Sequence, residues 1–329
     1  MLKKKVLLTG CAGFIGSNFV KNICTQKEIL AEYNFVILDS LTYAARLENI
    51  QPELNQYPES LSFVKMDIRD GDQIEKLFQS ENFYGCINFA AESHVDRSIE
   101  SANLFVETNV LGTMNLLNSS LNRFKATGEF RYLQISTDEV YGTLSATDPA
   151  FTENNPLEPN SPYSASKAGA DCLVRSFYET HKLPVIITRC SNNYGPYQFD
   201  EKFIPVVLKK SMNDESIPVY GNGSNIRDWI YVDDHNVGAW LAFVKGTPGN
   251  VYNLGGATEL TNLELTKKIL AATGKPESLI TFVEDRKGHD FRYAINFEKA
   301  TRDLGWRPQI TFEEGIKKTI VYYKEKFKS

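Results

Sequence analysis

The sequence predicts an α/β protein built on a doubly wound, mostly parallel sheet, with a smaller mixed α/β substrate-binding lobe. Three observations predict it. Apolar, strand-like runs alternate with helical patterns over residues 1–190, as a parallel sheet covered on both faces requires. A glycine-spaced turn, Gly10-x-x-Gly13-x-x-Gly16, joins the first run to the first helical pattern. Beyond Arg189 the texture changes to loops rich in Asn, Gly, Pro and Tyr, with shorter helical segments between them.

Each element has its own reason. The first strand, 5–9, has a core of Val6, Leu7 and Leu8, a run suited to burial on both faces. A helical pattern covers 17–26. Strands follow at 34–39, 61–67 and 84–90, and a long helix is expected over 102–123, crossing Gly112. The fifth strand, Tyr132-Leu133-Gln134-Ile135, runs into Ser136-Thr137-Asp138-Glu139, and 183–189 forms the sixth. Later helices are expected at 203–212, 233–244, 263–272 and 313–326. The chain is expected to cross back to the large sheet once, within 228–253.

Charge and composition narrow the class. A net charge of −5 without a clustered Lys/Arg face argues against nucleic acid. No stretch approaches the ~18 apolar residues that span a membrane. Lys3-Lys4-Lys5 precedes only Val6-Leu7-Leu8 before Thr9-Gly10, too little for a secretory signal. Five scattered cysteines (Cys11, Cys24, Cys86, Cys172, Cys190) lack any C-x-x-C and suit reduced thiols in the cytoplasm. The four histidines never pair at ligand spacing, so no metal is expected.

The glycine turn lies where backbone amides and a helix N-terminus can cradle a pyrophosphate. Ordinary strand-to-helix turns also use glycine, so the surroundings carry the argument. Asp39 closes the second strand, where a carboxylate accepts both hydroxyls of a ribose, and Ser40 rather than Arg follows it, favouring NAD over NADP. Asp67-Ile68 lies where adenine would, and Ala90-Ala91 leaves room for a cofactor. Residues 1–190 therefore read as an NAD-binding Rossmann domain, with return segments at about 228–253.

Tyr163-x-x-x-Lys167 puts a phenol and an amine on one helix face, after the start signal Asn160-Ser161-Pro162. A phenol near pKa 10 is a poor base, and a nearby ammonium favours the phenolate. Thr137-Asp138-Glu139 adds a hydroxyl and two carboxylates at a strand end. Such acids are often merely solvated; at the end of a buried strand in a dinucleotide fold they read as chemistry.

From Val6 to about Tyr323 the sequence resembles the extended short-chain dehydrogenase/reductase superfamily and, within it, the dTDP-glucose 4,6-dehydratase family. The motifs are Thr9-Gly-Cys-Ala-Gly-Phe-Ile-Gly-Ser17, Ala90-Ala-Glu-Ser-His-Val-Asp-Arg-Ser-Ile99, Ser136-Thr-Asp-Glu-Val-Tyr-Gly142, Ser161-Pro-Tyr-Ser-Ala-Ser-Lys167, Arg189-Cys-Ser-Asn-Asn-Tyr-Gly-Pro-Tyr-Gln198 and Arg227-Asp-Trp-Ile-Tyr-Val232. Three positions depart from the family pattern: Cys11 replaces a usual Gly, and Lys287 and Phe291 alter the stretch Asp285–Tyr293.

The resemblance implies oxidation of a hexose at C4, elimination of water across C5–C6, and return of hydride to C6. In that scheme Tyr163 is the base at O4, Lys167 lowers its pKa, Thr137 orients O4, Glu139 is the base at C5, and Asp138, kept protonated, is the acid at C6. NAD contacts are implied for Gly10, Gly13, Phe14, Ile15, Gly16, Asp39, Ser40, Leu41, Thr42, Asp67, Ile68, Phe89, Ala90, Ala91, Ser93, Thr108, Tyr163, Lys167 and Asn193. Nucleotide-sugar contacts are implied for Ser93, His94, Thr137, Asn192, Lys202, Phe203, Pro218, Tyr220, Arg227, Asn262, Arg286 and His289, on a lobe formed by about 191–227 and 254–329. GDP-mannose dehydratases and UDP-glucuronate decarboxylases resemble each other in carrying Thr-Ser-Glu here, and a 4-epimerase needs no acid pair. Thr-Asp-Glu also occurs in certain UDP-sugar dehydratases, so a UDP-hexose or UDP-N-acetylhexosamine substrate is the alternative. The family further implies a homodimer through the helices after strands four and five.

Overall fold

The computed structural model describes residues 3–285 and 288–327. The strands are β1 (Lys4–Thr9), β2 (Tyr33–Asp39), β3 (Leu61–Lys65), β4 (Phe83–Asn88), β5 (Arg131–Thr137), β6 (Val185–Cys190), β7 (Asn192–Tyr194), β8 (Ile217–Tyr220), β9 (Ile226–Tyr231), β10 (Val251–Leu254), β11 (Glu259–Thr261) and β12 (Ile280–Val283). The helices used below are α1 (Phe14–Cys24), α2 (Gly71–Ser80), α3 (Thr113–Thr127), α4 (Pro162–His181), α5 (Phe203–Met212), α6 (Val232–Lys245), α7 (Asn262–Thr273), α8 (Glu298–Leu304) and α9 (Phe312–Lys326).

Seven parallel strands form the large sheet in the order β10-β6-β5-β4-β1-β2-β3. The chain runs outward from β1 in both directions, so β1 and β4 flank the switch point where doubly wound sheets bind ligands. Helix α1 covers one face together with α6, whose Trp240 and Phe243 join the core there. Burying Phe243 is worth roughly 1.5–3 kcal/mol. On the other face Ile74 and Phe78 of α2, Leu116, Leu117 and Leu121 of α3, and Val174 and Phe177 of α4 pack together.

The smaller lobe has a three-stranded sheet, β11-β9-β7, and a two-stranded one, β12-β8. Its own core gathers Ile204, Val207 and Leu208 of α5, Leu265 and Ile269 of α7, and Ile316, Ile320 and Tyr323 of α9.

Two differences from the sequence reading concern how the lobes are joined. The expected single return begins later, because Ile226–Tyr231 belongs to the three-stranded sheet and only α6 and β10 go back. A second return follows: Ala300 and Leu304 of α8, with Trp306, enter the large core, and Trp306 Nε1 donates to Asp234 O at 3.0 Å. The long helix after β4 is also not uniform. Its first part includes a π-helical stretch, Val106–Gly112, before α3 begins.

No helix among the described residues is long and apolar enough to cross a membrane. The five cysteines are unpaired.

Candidate active site

The ends of β1 and β4 are tied by buried polar side chains. Thr9 Oγ1 donates to Asn88 Oδ1 at 2.5 Å, and Asn88 Nδ2 donates to Gln134 Oε1 at 3.0 Å, so β1 and β4 end together while β5 runs three residues further, to Thr137. Gly10 then turns with φ +70°; a Cβ there would lie 2.6 Å from the Ala90 backbone, so only glycine lets the two loops pass. Gly16, a glycine of the same turn, is also needed for packing. Helix α1 starts at Phe14, so Gly16 lies inside it, where a Cβ would meet Cys11 Cα at 2.5 Å. Gly13 caps α1 without a side-chain partner for its first amides.

Beside this turn Asp39 is buried. Its Oδ2 accepts from Ala12 N at 2.9 Å and its Oδ1 from Leu41 N at 2.8 Å, which partly offsets a burial that raises its pKa. Glycine turn, acidic strand end and helix N-terminus together fit a dinucleotide.

A cleft of about 520 Å³ opens over these strand ends. It is lined by Thr137, Asp138, Glu139, Tyr163 and Lys167, and by Gly10, Gly13, Phe14, Ile15, Gly16, Asp39, Ser40, Thr42, Asp67, Ile68, Phe89, Ala90, Ala91, Ser93, Thr108 and Asn193. Leu41 stays outside the lining; its amide, at φ +55°, is spent on Asp39. Asn192 and Asn193 each present a buried Oδ1 with no protein partner, a further fit for a polar ligand.

The reactive groups come from two elements. β5 ends at Thr137, and residues 138–141 form a 3₁₀ turn capped by Thr137, whose Oγ1 accepts from Glu139 N at 3.3 Å and donates to Asp138 Oδ1 at 3.2 Å. Asp138 is 1% exposed. Burial, then Glu139 and Asp228, push its pKa well above the usual carboxylate range, which favours its protonated form. Glu139 is only half-buried.

Helix α4 opens on a capping box, Ser161 with Ser164, and Pro162 at its first turn, which explains the start signal. Lys167 Nζ donates to Ile135 O at 2.7 Å, tying the helix to β5. The lowering of the Tyr163 pKa expected from Lys167 is opposed by burial, Glu139, Cys190 and Asp138, which push the phenol well up, with a hydrogen bond to Thr137 acting the other way. Lys167 is itself shifted down by burial, against Asp171 and Cys190. The residues that oppose the phenolate come from the turn after β5 and from β6, outside the Tyr–Lys helix.

Of the expected sugar and nucleotide contacts, Ser93, Asn192 and Lys202 line the cleft, and Lys202 Nζ bridges to Ser93 O at 2.7 Å. His94 does not. It caps the short helix Val95–Glu100, its Nδ1 accepting from Arg97 N at 3.3 Å, and its Nε2 faces Glu201 Oε1 at 3.7 Å. Phe203 opens α5 and packs against the small lobe's core.

Pro218 and Tyr220 lie on β8 and Asn262 opens α7, joined by Gly223 N to Tyr220 O at 3.0 Å and Leu263 N to Gly223 O at 3.1 Å. His289 stands against the same wall, its ring 6.3 Å from Tyr220 and its Nδ1 2.6 Å from Asp285 Oδ1. Arg227 is buried and does not line the cleft: its guanidinium donates to Ile226 O at 2.7 Å and Asp290 O at 3.0 Å and lies 4.3 Å from the Tyr293 ring centroid. Arg286 and Lys287 lie outside the described residues.

Several lining residues escaped the sequence reading. Glu92 and Cys190 stand inside the quoted motifs and could have been found there. Tyr43 and Glu201 could not: Tyr43 meets Phe199 edge-on at 5.4 Å across the lobes, a contact without local signal. The π-helical stretch places Asn109 so that it donates to Ser166 Oγ at 2.8 Å and Glu92 O at 3.0 Å, holding the loop after β4 against α4.

A doubly wound sheet whose glycine turn and Tyr-x-x-x-Lys helix face one cleft defines an extended short-chain dehydrogenase/reductase. Residues 7–319 match the family model described as GDP-mannose 4,6 dehydratase, and the chain belongs to that family. It is 50% identical over 318 residues to the low-salt glycan biosynthesis protein Agl12 of Haloferax volcanii, covering 97% of this chain and 98% of that protein. With dTDP-glucose 4,6-dehydratase of Xanthomonas campestris pv. campestris the identity is 47% over 331 residues, covering 96% and 92%. The crystal structure of DesIV, a dTDP-glucose 4,6-dehydratase from Streptomyces venezuelae with NAD and TYD bound, superposes with a TM-score of 0.92 at 44% identity, over 98% and 97% of the two chains.

Proposed function

We propose that the chain converts dTDP-glucose to dTDP-4-keto-6-deoxyglucose, with NAD as a recycled cofactor. One observation carries the reading: a wholly buried Asp138, whose surroundings favour its protonated form, beside a half-buried Glu139, on a turn that lines one cleft with Tyr163. A C4 epimerisation has no use for that pair. Relatives named as dTDP-glucose 4,6-dehydratases, at 44–47% identity, support the choice of nucleotide.

The glycine turn, Asp39 and Asn193 would hold NAD, which when bound would accept hydride from C4 and return it to C6. Tyr163 takes the proton from O4 while Thr137 holds that oxygen. Because burial keeps Tyr163 a phenol at rest, the proton moves within the oxidation step, with Lys167 countering the developing phenolate charge. The C5 hydrogen, now alpha to a ketone, passes to Glu139. Asp138 gives its proton to the C6 hydroxyl, which leaves as water.

Turnover of a panel of dTDP- and UDP-sugars in deuterated water tests this. Expected are preference for dTDP-glucose, solvent deuterium at C5 and none at C6. A C4-epimerised product without label at C5 overturns the dehydratase reading.

We also propose a homodimer through the helices after β4 and β5. Val106 and Leu111 of the π-helical stretch are 51% and 48% exposed, an apolar surface on that face. Val106→Glu with Leu111→Glu is expected to yield monomers in sedimentation velocity; an unchanged dimer would remove this face from the interface.

A further inference from the structure

Helix α4 carries a third buried ionisable side chain that the reaction scheme leaves unused. Tyr163, Lys167 and Asp171 recur every four residues, so they share one face of the helix, and all three are buried. Asp171 Oδ2 accepts from Arg189 Nε at 2.9 Å, with the two side chains 1% and 6% exposed. Its Oδ1 is buried without a hydrogen-bond partner. A buried ion pair by itself stabilises little; where this one is placed is the informative fact.

Arg189 lies on β6 opposite Ser136, the residue before Thr137. Its guanidinium lies 4.7 Å from the ring centroid of Tyr141, the last residue of the 138–141 turn. The Tyr141 hydroxyl in turn donates to Asn253 Oδ1 on β10 at 2.9 Å. One connected set of buried side chains therefore runs from the Tyr–Lys helix to the turn bearing the two carboxylates.

We infer that Asp171 is a positioning residue for both half-reactions: along α4 it faces Lys167, and through Arg189 and Tyr141 it holds the 138–141 turn in place. The inference rests on the dehydratase reading and deepens it. Burial works to discharge Lys167, and Asp171 is the largest influence against it, followed by Cys190. The groups around Lys167 are Tyr163 and Asp171 on its own helix, Cys190 and Arg189 from β6, and, through Tyr163, Asp138 and Glu139 from the turn. Without Asp171, burial discharges Lys167 at lower pH, and the support for a phenolate at Tyr163 goes with it.

In the full chain, Asp171→Asn is expected to lower kcat about 100-fold with KM for dTDP-glucose little changed. The alkaline limb of its kcat profile should move to lower pH, and Asp171→Glu should regain most of the rate. Since the single change leaves Arg189 unpaired and can unfold the chain, Asp171→Asn with Arg189→Gln is the second arm, its folding checked by circular dichroism. If Asp171 served only to neutralise Arg189, the folded double variant would recover the wild-type rate and pH profile, and the inference would fall. A folded double variant that stays slow supports it. Lysine-selective NMR of Lys167 gives a readout independent of turnover. A titration unchanged in Asp171→Asn overturns the positioning role whatever sugar the enzyme uses, whereas a wild-type chain inert toward dTDP-glucose overturns only the substrate reading.

Discussion

Tyr163→Phe is expected to lower turnover of dTDP-glucose about 10³-fold, roughly 4 kcal/mol of transition-state stabilisation, with little change in KM. The substitution is a narrow one. The ring remains to make its edge-on contact with Phe105, 6.4 Å between centroids, so the cleft keeps its shape. Only the hydroxyl is lost, and with it the group that takes the O4 proton. Thr137 Oγ1 can still orient O4 and Lys167 Nζ still donates to the carbonyl of Ile135, but a hydroxyl and an ammonium are no bases. The surroundings of Asp138 favour its protonated form, which cannot take up a further proton. Solvent exchange at C5 should disappear along with product, because C5 is acidified only by the ketone that Tyr163 helps to make. Steady-state kinetics and deuterium incorporation measure both. More than a tenth of wild-type turnover would take the proton transfer away from Tyr163.

How far this site was legible depends on the range of the physics involved. Buried parallel strands are continuous apolar runs, so Val6-Leu7-Leu8 and its successors announced the sheet. The glycine turn, the acid ending β2 and the capped start of α4 are local devices with local signals. Placement across the lobes is not local. Lys202 reaches Ser93, 109 positions away, and Tyr43 reaches Phe199; no spacing in the sequence encodes either contact. His94 shows the reverse, a motif residue diverted by the geometry of the helix it caps. The second return through Ala300, Leu304 and Trp306 was missed because α8 spans only Glu298–Leu304, too short for a convincing apolar period. The π-helical stretch was hidden because its residues read as continuous helix.

The pKa of Tyr163 shows the same divide within the site. Read along the chain, Tyr163 has a cation one turn away and should be acidic. In three dimensions Asp138 and Glu139 of the turn after β5, and Cys190 of β6, join burial in pushing it the other way. A motif names the participants; the strand ends decide their charges.

Those charges make the division of labour between the two acids testable. Glu139→Gln is expected to cut formation of the 4-keto-6-deoxy sugar by roughly 10²–10⁴-fold while C4 oxidation continues. Glutamine matches glutamate in size, and the turn is held by backbone and by Thr137, so the geometry should survive. Two neighbouring carboxylates can act as acid and base only when their surroundings differ, and burial favours the proton on Asp138. Asp138 can therefore donate at C6 but not accept at C5, which leaves that task to Glu139. The Gln variant should accumulate a 4-keto hexose that keeps its C6 hydroxyl, with C5 exchange sharply reduced. Asp138→Asn should behave differently, losing product while C5 exchange persists, because Glu139 still removes the hydrogen and only departure of the hydroxyl fails. Mass spectrometry of the sugar nucleotides with NMR of the C5 position separates these patterns. Wild-type C5 exchange in Glu139→Gln would remove Glu139 as the base, and loss of that exchange in Asp138→Asn alone would reverse the two roles.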